Sequence, residues 1–537
     1  MKKYLLKEDL FFYFILVLNV IPVLSVKYFY TIDGPSHFYN ATLIKDLFLG
    51  NSPLITSLYK FNSMIPPNWT GHFILSILSL FFNAALTEKI FTLLFMIFLP
   101  VSFRFLIKTI SSSPRTLSYL IFPFTYTYLY EAGFFNFCIS FIFLFLSLGY
   151  WYKHEGKFHI RQIFIFSLLL ILTFFSHIVV FAVLEMLIVL ITIGNWLKEN
   201  NNRKLLFVNL FKRLSVLFLA SIPAIIFMIN FFLKITPHSS NERFSSHELW
   251  MWVANVKPLV LFNFTIESKI THYFAFIYLA IFLFSVILRI KKINENRVEN
   301  TSFILAIRNG LFVTDLILLA SFFILALLFL IPDGASAGMM SERLCLFCFI
   351  LLITWLAIQT LPKWFYILII IATLGVDTYL INAHWPGYKN LSNYACEINK
   401  AAQNIRSESI VYKVNWNDHW MLGHITDYLG TDKPVIIPNN YEAEVKWFPL
   451  VYKDKNLPKF IFDDQQFVRG ISWGSNSDSN FVRKIDYIFI FGNTGKLNES
   501  QFQGLKDGLV KNYSLVYSST NHAYLLYALK VNKKSVI

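Results

Sequence analysis

The sequence predicts a polytopic α-helical membrane protein, about eleven transmembrane helices plus interfacial helices, carrying a C-terminal α/β domain. Three observations predict it. Of 537 residues, 56% are hydrophobic and 15% charged, against roughly 45–50% and about 25% in soluble chains. Apolar runs of about 18–22 residues recur, the length that crosses a bilayer. From Ala383 onward the composition turns polar and strand-like runs replace the long apolar ones.

The net charge of +15 points to membrane orientation rather than to nucleic acid. Lys and Arg collect in short loops: Lys2, Lys3 and Lys7; Arg104, Lys108 and Arg115; Lys153, Lys157 and Arg161; Lys198, Arg203, Lys204, Lys212 and Arg213; Arg289, Lys291, Lys292 and Arg297. This is the bias that keeps basic loops cytoplasmic. It predicts a cytoplasmic N-terminus, in the cytoplasmic (inner) membrane, with a first helix that is retained rather than cleaved. Nucleic acid is excluded as a partner on the same ground.

The first span covers about 10–27, and residues 28–88 follow as an outer loop. Within it, Ser36 to Leu49 reads as an amphipathic helix lying at the interface. The run Phe73 to Leu86 is about 14 residues, too short to cross, and reads as a second interfacial or half-inserted helix. Spans then alternate at about 89–107, 117–130 and 134–151. Residues 163–194 form one long apolar run, and parity requires two short spans turning near Ser176–His177. Further spans fall at about 214–233, 272–290, 311–331, 343–361 and 364–382. A second outer loop, 234–271, carries Trp250 and Trp252, residues that favour the headgroup level.

The predicted domains are therefore 1–382, membrane-embedded, and 383–537, extracytoplasmic. The latter has strands at Ser409 to Val414, Tyr487 to Phe491, Tyr513 to Tyr517 and Ala523 to Val531, with helical stretches near 393–405 and 500–510. About 150 residues suffice for a core of its own. Four cysteines build no zinc site: Cys345 and Cys348 form a lone C-x-x-C in an apolar helix and read as buried free thiols.

Chemistry concentrates at the outer ends of the spans. Asp33 stands in Thr31-Ile32-Asp33-Gly34-Pro35-Ser36-His37, where the chain leaves the first span. If the helix starts here, Asp33 and His37 share a face. Asp33 or Ser36 then serves as the helix cap, with Pro35 in the first turn; a carboxylate so placed also deprotonates a hydroxyl or holds a divalent cation. Glu131, in Tyr128-Leu129-Tyr130-Glu131-Ala132-Gly133, is the sole acid between Glu88 and Glu155. An ionisable group at membrane level is a functional candidate. Arg343, at the mouth of the span 343–361, fits a phosphate bidentately or pairs with Glu342 or Asp333. Lys234, His238, Arg243 and His247 serve the same anion or are solvated, and His177 reads as a packing histidine. No Walker loop, G-x-G-x-x-G, H-E-x-x-H or G-x-S-x-G occurs, which leaves ATP-driven transport and the common hydrolases without support.

The order of these features resembles the GT-C class of polytopic membrane glycosyltransferases. A first span leads to an outer loop opening on an acid, Asp33, followed by interfacial helices. A second outer acidic segment, Tyr126 to Asn136, comes next, then a large outer loop, an arginine at an outer helix mouth and an outer C-terminal domain. The resemblance spans the layout of residues 1–382 but few motif residues. It implies transfer of a sugar, with inversion, from a polyprenyl-phosphate-linked donor in the bilayer to a glycan, lipid or protein acceptor. Asp33 is then the catalytic base or a ligand of a divalent cation (Mg or Mn), with His37 orienting it and Glu131 placing the acceptor. Arg343, with Arg243 and Lys234, meets the lipid phosphate. Two departures matter: Gly-Pro-Ser-His rather than a second acid follows Asp33, which leaves the metal open, and there is no W-W-D-type motif. Two other classes stay open, a flippase or transporter for lipid-linked glycans and a scaffold for envelope assembly. The acids within span interiors, Glu185, Asp315 and Asp377, are what a transporter would use.

Overall fold

Among the described residues, eight helices are long and apolar enough to cross a membrane: Glu8–Ser25, Ala84–Ile110, Phe135–His154, Ile178–Lys198, Phe207–Lys234, Phe264–Lys291, Met340–Ile358 and Lys363–Ala402. Two shorter apolar helices, Ile160–Ser176 and Asp315–Leu330, accompany them. The protein is thus a membrane-embedded helical protein with a smaller, sheet-containing C-terminal region. The computed structural model describes residues 2–111, 113, 116–198, 203–235, 241–295, 313–334, 338–453, 457–464, 466–473 and 482–530. Arg115, His238, Arg297 and the start of the span expected at 311 lie outside the described residues, as do the side chains of Lys2, Lys3, Lys7, Arg203, Lys204 and Lys292.

The chain divides into two compact units, one of residues 1–22 and 93–387, the other of 23–92 and 388–537. The domain boundary expected near 382 falls inside the helix Lys363–Ala402, and the first outer loop groups with the C-terminal region.

In the first unit, long helices bury one side and present Phe, Leu and Ile on the other. Phe211, Phe218, Phe232 and Leu233 are largely exposed, an apolar surface that suits lipid rather than water. The long run at 163–194 does break where parity required, at His177 between Ile160–Ser176 and Ile178–Lys198. Two expectations fail. Eleven spans are not reached among the described residues. The span expected at 117–130 is instead a 3₁₀ helix, Ser118–Thr125, followed by the four-residue helix Tyr128–Glu131. Pro123 sits inside the 3₁₀ segment, and eight residues at a 3₁₀ rise cover only about 16 Å. Between the helices Ala84–Ile110 and Lys2–Asn19, Arg104 donates to Glu8 (2.5 Å) and Asp9 (2.6 Å) and stacks over Phe12. These acids neutralise a cation that is almost wholly buried.

The second unit is built on a five-stranded mixed sheet of order β3-β2-β8-β10-β9. Here β2 is Ser409–Trp416, β3 Val435–Ile436, β8 Tyr487–Gly492, β9 Tyr513–Ser518 and β10 Tyr524–Leu529. β2 runs parallel to β3 and β8, and β10 is antiparallel to both of its neighbours. The central strand β8 reads Tyr-Ile-Phe-Ile-Phe and is buried throughout, as expected of a strand covered on both faces. It ends at Gly492, where φ is +105° and a Cβ would lie 2.5 Å from the backbone of Trp416 and Asn417; only glycine fits.

Two smaller sheets complete the unit. β1 (Tyr59–Phe61), from the segment between the first two long apolar helices, pairs with β4 (Leu450–Tyr452), the rings of Tyr59 and Tyr452 stacking across the register. β5 (Pro458–Phe462), β6 (Val468–Trp473) and β7 (Val482–Lys484) form an antiparallel sheet.

The helix Gly34–Leu49 corrects the interfacial expectation. It is buried nearly all round, and only its last turn emerges, at Phe48 and Leu49. Four of its polar residues, Ser36, His37, Asn40 and Thr42, are inside because each finds a partner far along the chain. Thr42 Oγ1 donates to the Thr431 carbonyl (2.7 Å), Asn40 and Asn440 exchange amide hydrogen bonds (3.0 and 2.8 Å), and Tyr39 Oη accepts from the Ile437 N–H (2.8 Å). Paired in this way, buried polar groups avoid the desolvation cost of about 1–3 kcal/mol each that an unpaired group carries. The neighbouring helix, Thr70–Leu78, has nine residues and does not reach across a bilayer.

Candidate functional site

Asp33 occupies the position before the helix Gly34–Leu49 but does not cap it. Its backbone is helical (φ −90°, ψ −6°) and its side chain makes no cap hydrogen bond. Pro35 removes one of the N–H groups a cap would satisfy, and the Asp33 carbonyl accepts from His37 N–H at 3.0 Å. Ser36 does not cap either: its hydroxyl donates to Asp427 Oδ2 at 2.5 Å. The Asp33 carboxylate is left with a quarter of its side chain exposed and with His424 Nε2 at 3.6 Å.

His424 and Asp427 come from the segment just past the carboxyl end of β2. The 3₁₀ helix Ile425–Gly430 buries Asp427. There it accepts from Lys413 of β2 and from Ser36, and faces His424 Nδ1 at 3.8 Å. Asp33, His424 and Asp427 thus form a chain of carboxylate, imidazole and carboxylate, open at the Asp33 end and closed at the Lys413 end. Burial alone would raise the Asp427 carboxyl, but Lys413 and His424 overcome it and hold the group down at about 2. Burial pulls His424 down, and Asp427 with Asp33 more than reverse this, so the imidazole rests above its ordinary value. Asp33 is pushed up by burial, against the pull of His37 and His424. Such a group is a stronger base than a free carboxylate and a third of the neighbouring imidazole is open to solvent.

His37 lies one turn on. Its Nδ1 meets Glu442 Oε1 at 2.8 Å, and His72 Nε2 meets the other oxygen at 2.7 Å. All three side chains are buried. His37 therefore acts on Asp33 through its charge, and the imidazole whose ring nitrogen faces the Asp33 carboxylate is His424.

In the first unit, Arg343 stands in the first turn of the helix Met340–Ile358 and is buried. Its guanidinium donates to His177 Nε2 at 3.4 Å and stacks over Phe134, 4.6 Å from the ring centre. Asp333, one of its expected partners, accepts from the Ser341 N–H at 2.9 Å. Glu131 ends the short helix started by Thr127 and is also buried; Cys138 lies within electrostatic reach of both Glu131 and Arg343. Lys234 and Arg243 are exposed, at the end of the helix Arg203–Lys234 and in the coil after it. Lys257, in the segment 234–271, lies over the Tyr128 ring at 4.4 Å. Of the acids named in the apolar helices, Asp315 is held by Arg289 and Trp355 and Glu185 by Ser221, while Asp377 is buried within the helix Lys363–Ala402. Cys345 and Cys348 are free and buried.

No protein-family model matches this chain, and no curated protein matches it in sequence.

Sequence reasoning passed over His72, Lys413, His424, Asp427, Glu442 and Lys257. His37 and Glu442 are 405 residues apart, His72 and Glu442 370, so no local spacing links them. A density of His and acid within 413–442 was the one signal on offer.

Proposed function

We propose that the protein is a membrane glycosyltransferase that moves a sugar from a polyprenyl-phosphate donor to an acceptor hydroxyl outside the cytoplasmic membrane, with inversion. One observation carries this: a carboxylate at the start of a buried helix, not spent on capping, raised in basicity by burial and backed by an imidazole–carboxylate–lysine chain. The layout resembling the GT-C class supports it.

In the transfer step, the acceptor O–H proton passes to an Asp33 carboxylate oxygen as the acceptor oxygen bonds to the anomeric carbon. The bond from that carbon to the phosphate oxygen breaks, and polyprenyl phosphate leaves with the electron pair. His424, held by Asp427, orients Asp33, and the partly exposed Asp33 carboxyl gives the proton up to solvent. His37 tunes Asp33 through charge. In the helical unit, Arg343 has the donor geometry that matches a lipid phosphate; Glu131, in the same unit, has the chemistry to accept from a sugar hydroxyl. Lys234 and Arg243, being exposed, would attract the anionic headgroup.

The test is donor consumption. Protein in lipid nanodiscs is given a panel of polyprenyl-phosphate hexoses and pentoses with an envelope extract, and products are identified by mass spectrometry. Release of polyprenyl phosphate with sugar joined to an acceptor is the expected result. Donor that changes leaflet in liposomes with its glycosidic bond intact would instead establish a flippase.

A further inference from the structure

His37, one turn beyond Asp33, forms a buried group with His72 and Glu442. The three side chains are 7%, 2% and 0% exposed. One ligand atom from each lies within 4.8 Å of the other two. The imidazole rings stand nearly perpendicular, 5.0 Å apart, with Glu442 bridging them. The Phe448 ring flanks both, at 5.8 and 5.5 Å. His72 Nδ1 is buried with no hydrogen-bond partner among the described residues.

We infer that His37, His72 and Glu442 are the protein ligands of one transition-metal dication, zinc by donor type. Two imidazole nitrogens and one carboxylate are a donor set zinc uses when three side chains bind it and a fourth position stays open. Magnesium and calcium take oxygen donors instead, so the group differs in kind from the Mg or Mn site imagined for Asp33. The spacing is close to what zinc needs. Zinc–ligand bonds of about 2.0–2.1 Å put tetrahedral ligand atoms roughly 3.3 Å apart, and the two nitrogen–oxygen contacts here are 2.8 and 2.7 Å. The two contacts are to different oxygens of Glu442, so binding would part the imidazoles from the carboxylate and draw their nitrogens, which lie within 4.8 Å of each other, around the metal. The Phe448 wall supplies the apolar shell that such sites keep around their ligands.

The ligands come from three elements: the helix Gly34–Leu49, the helix Thr70–Leu78 and the short helix Tyr441–Val445. A metal bound by all three fastens segments some 370–405 residues apart within one unit. Because binding favours only the folded arrangement, it also stabilises that unit. The inference does not rest on sugar transfer.

The test uses full-length protein in detergent, stripped with a chelator and dialysed against zinc or cobalt(II) alone. Expected are one zinc per chain by elemental analysis, visible cobalt d–d absorption, and loss of both in His72→Ala and Glu442→Gln, while Asp33→Asn keeps the metal. Wild-type protein that retains no zinc overturns the site, as does zinc retained undiminished in both ligand variants. If the variants do not accumulate, the wild-type cobalt spectrum decides: nitrogen–oxygen ligation supports the site, and a thiolate-to-cobalt charge-transfer band, from the cysteines, overturns it.

Discussion

A carboxylate placed just before a helix is ordinarily drawn to the free N–H groups of the first turn, yet Asp33 faces His424 instead. The choice is made by Asp427, whose buried charge fixes His424 on one side while Ser36 and Lys413 hold Asp427 on the other. That charge has a measurable signature. The folded Asp427 carboxyl sits near 2 against an ordinary 3.8, so its stabilisation, on the order of 2 kcal/mol, is complete above pH 3.8 and is lost as pH falls through 2. His424 has the opposite sign: raised above 6.5, its contribution is complete below pH 6.5 and fades as pH rises past its folded value. Asp427→Asn should therefore flatten the acid limb of stability between pH 4 and pH 2, read by tryptophan fluorescence in denaturant. An acid limb as steep as the wild type's would mean that Asp427 carries no such stabilising charge.

At the scale of elements, the 3₁₀ helix Ile425–Gly430 positions Asp427, and its end is set by close packing. A Cβ on Gly430 would lie 2.7 Å from two atoms of the Tyr39 ring, and Tyr39 is itself fully buried and hydrogen-bonded to Ile437. With no room to yield, Gly430→Ala should cost about 1–3 kcal/mol and displace Asp427. A thermal midpoint equal to the wild type's would show that Tyr39 moves aside freely. The helix Gly34–Leu49 shows how far sequence reached here. Its position was readable from Asp-Gly-Pro-Ser, but its surroundings were not. The apolar residues Phe38, Leu43 and Leu47 marked one stripe, whereas burial of Asn40, Thr42 and His37 depends on partners at 424–442. A 3.6-residue period reports which face is apolar; it carries no record of hydrogen bonds made 400 residues away.

Across the whole molecule, membrane character and most span positions were legible, because an apolar run of bilayer length has few alternatives to crossing. The segment 117–130 misled because Leu, Ile and Phe satisfy a hydropathy window even when Pro123 shortens the helix to a 3₁₀ turn. In the C-terminal region the strands β2, β8, β9 and β10 were legible as β-branched and aromatic runs. The short β3, β4 and β7 were not, since two or three residues hold no period, and β5 and β6 were missed as well. The charge bias also makes a prediction about orientation: the sheet-containing unit faces outward. Asp418 has 93% of its side chain exposed, so a membrane-impermeant maleimide should label Asp418→Cys on intact spheroplasts. Labelling that appears only after permeabilisation would reverse the topology.

The sugar-transfer reading itself stands or falls on Asp33. In proteoliposomes supplied with the donor and acceptor found active for the wild type, Asp33→Asn should slow release of polyprenyl phosphate by about 10²–10⁴-fold, the range a positioned base contributes, at equal levels of folded protein. Turnover by Asp33→Asn at the wild-type rate would contradict the account.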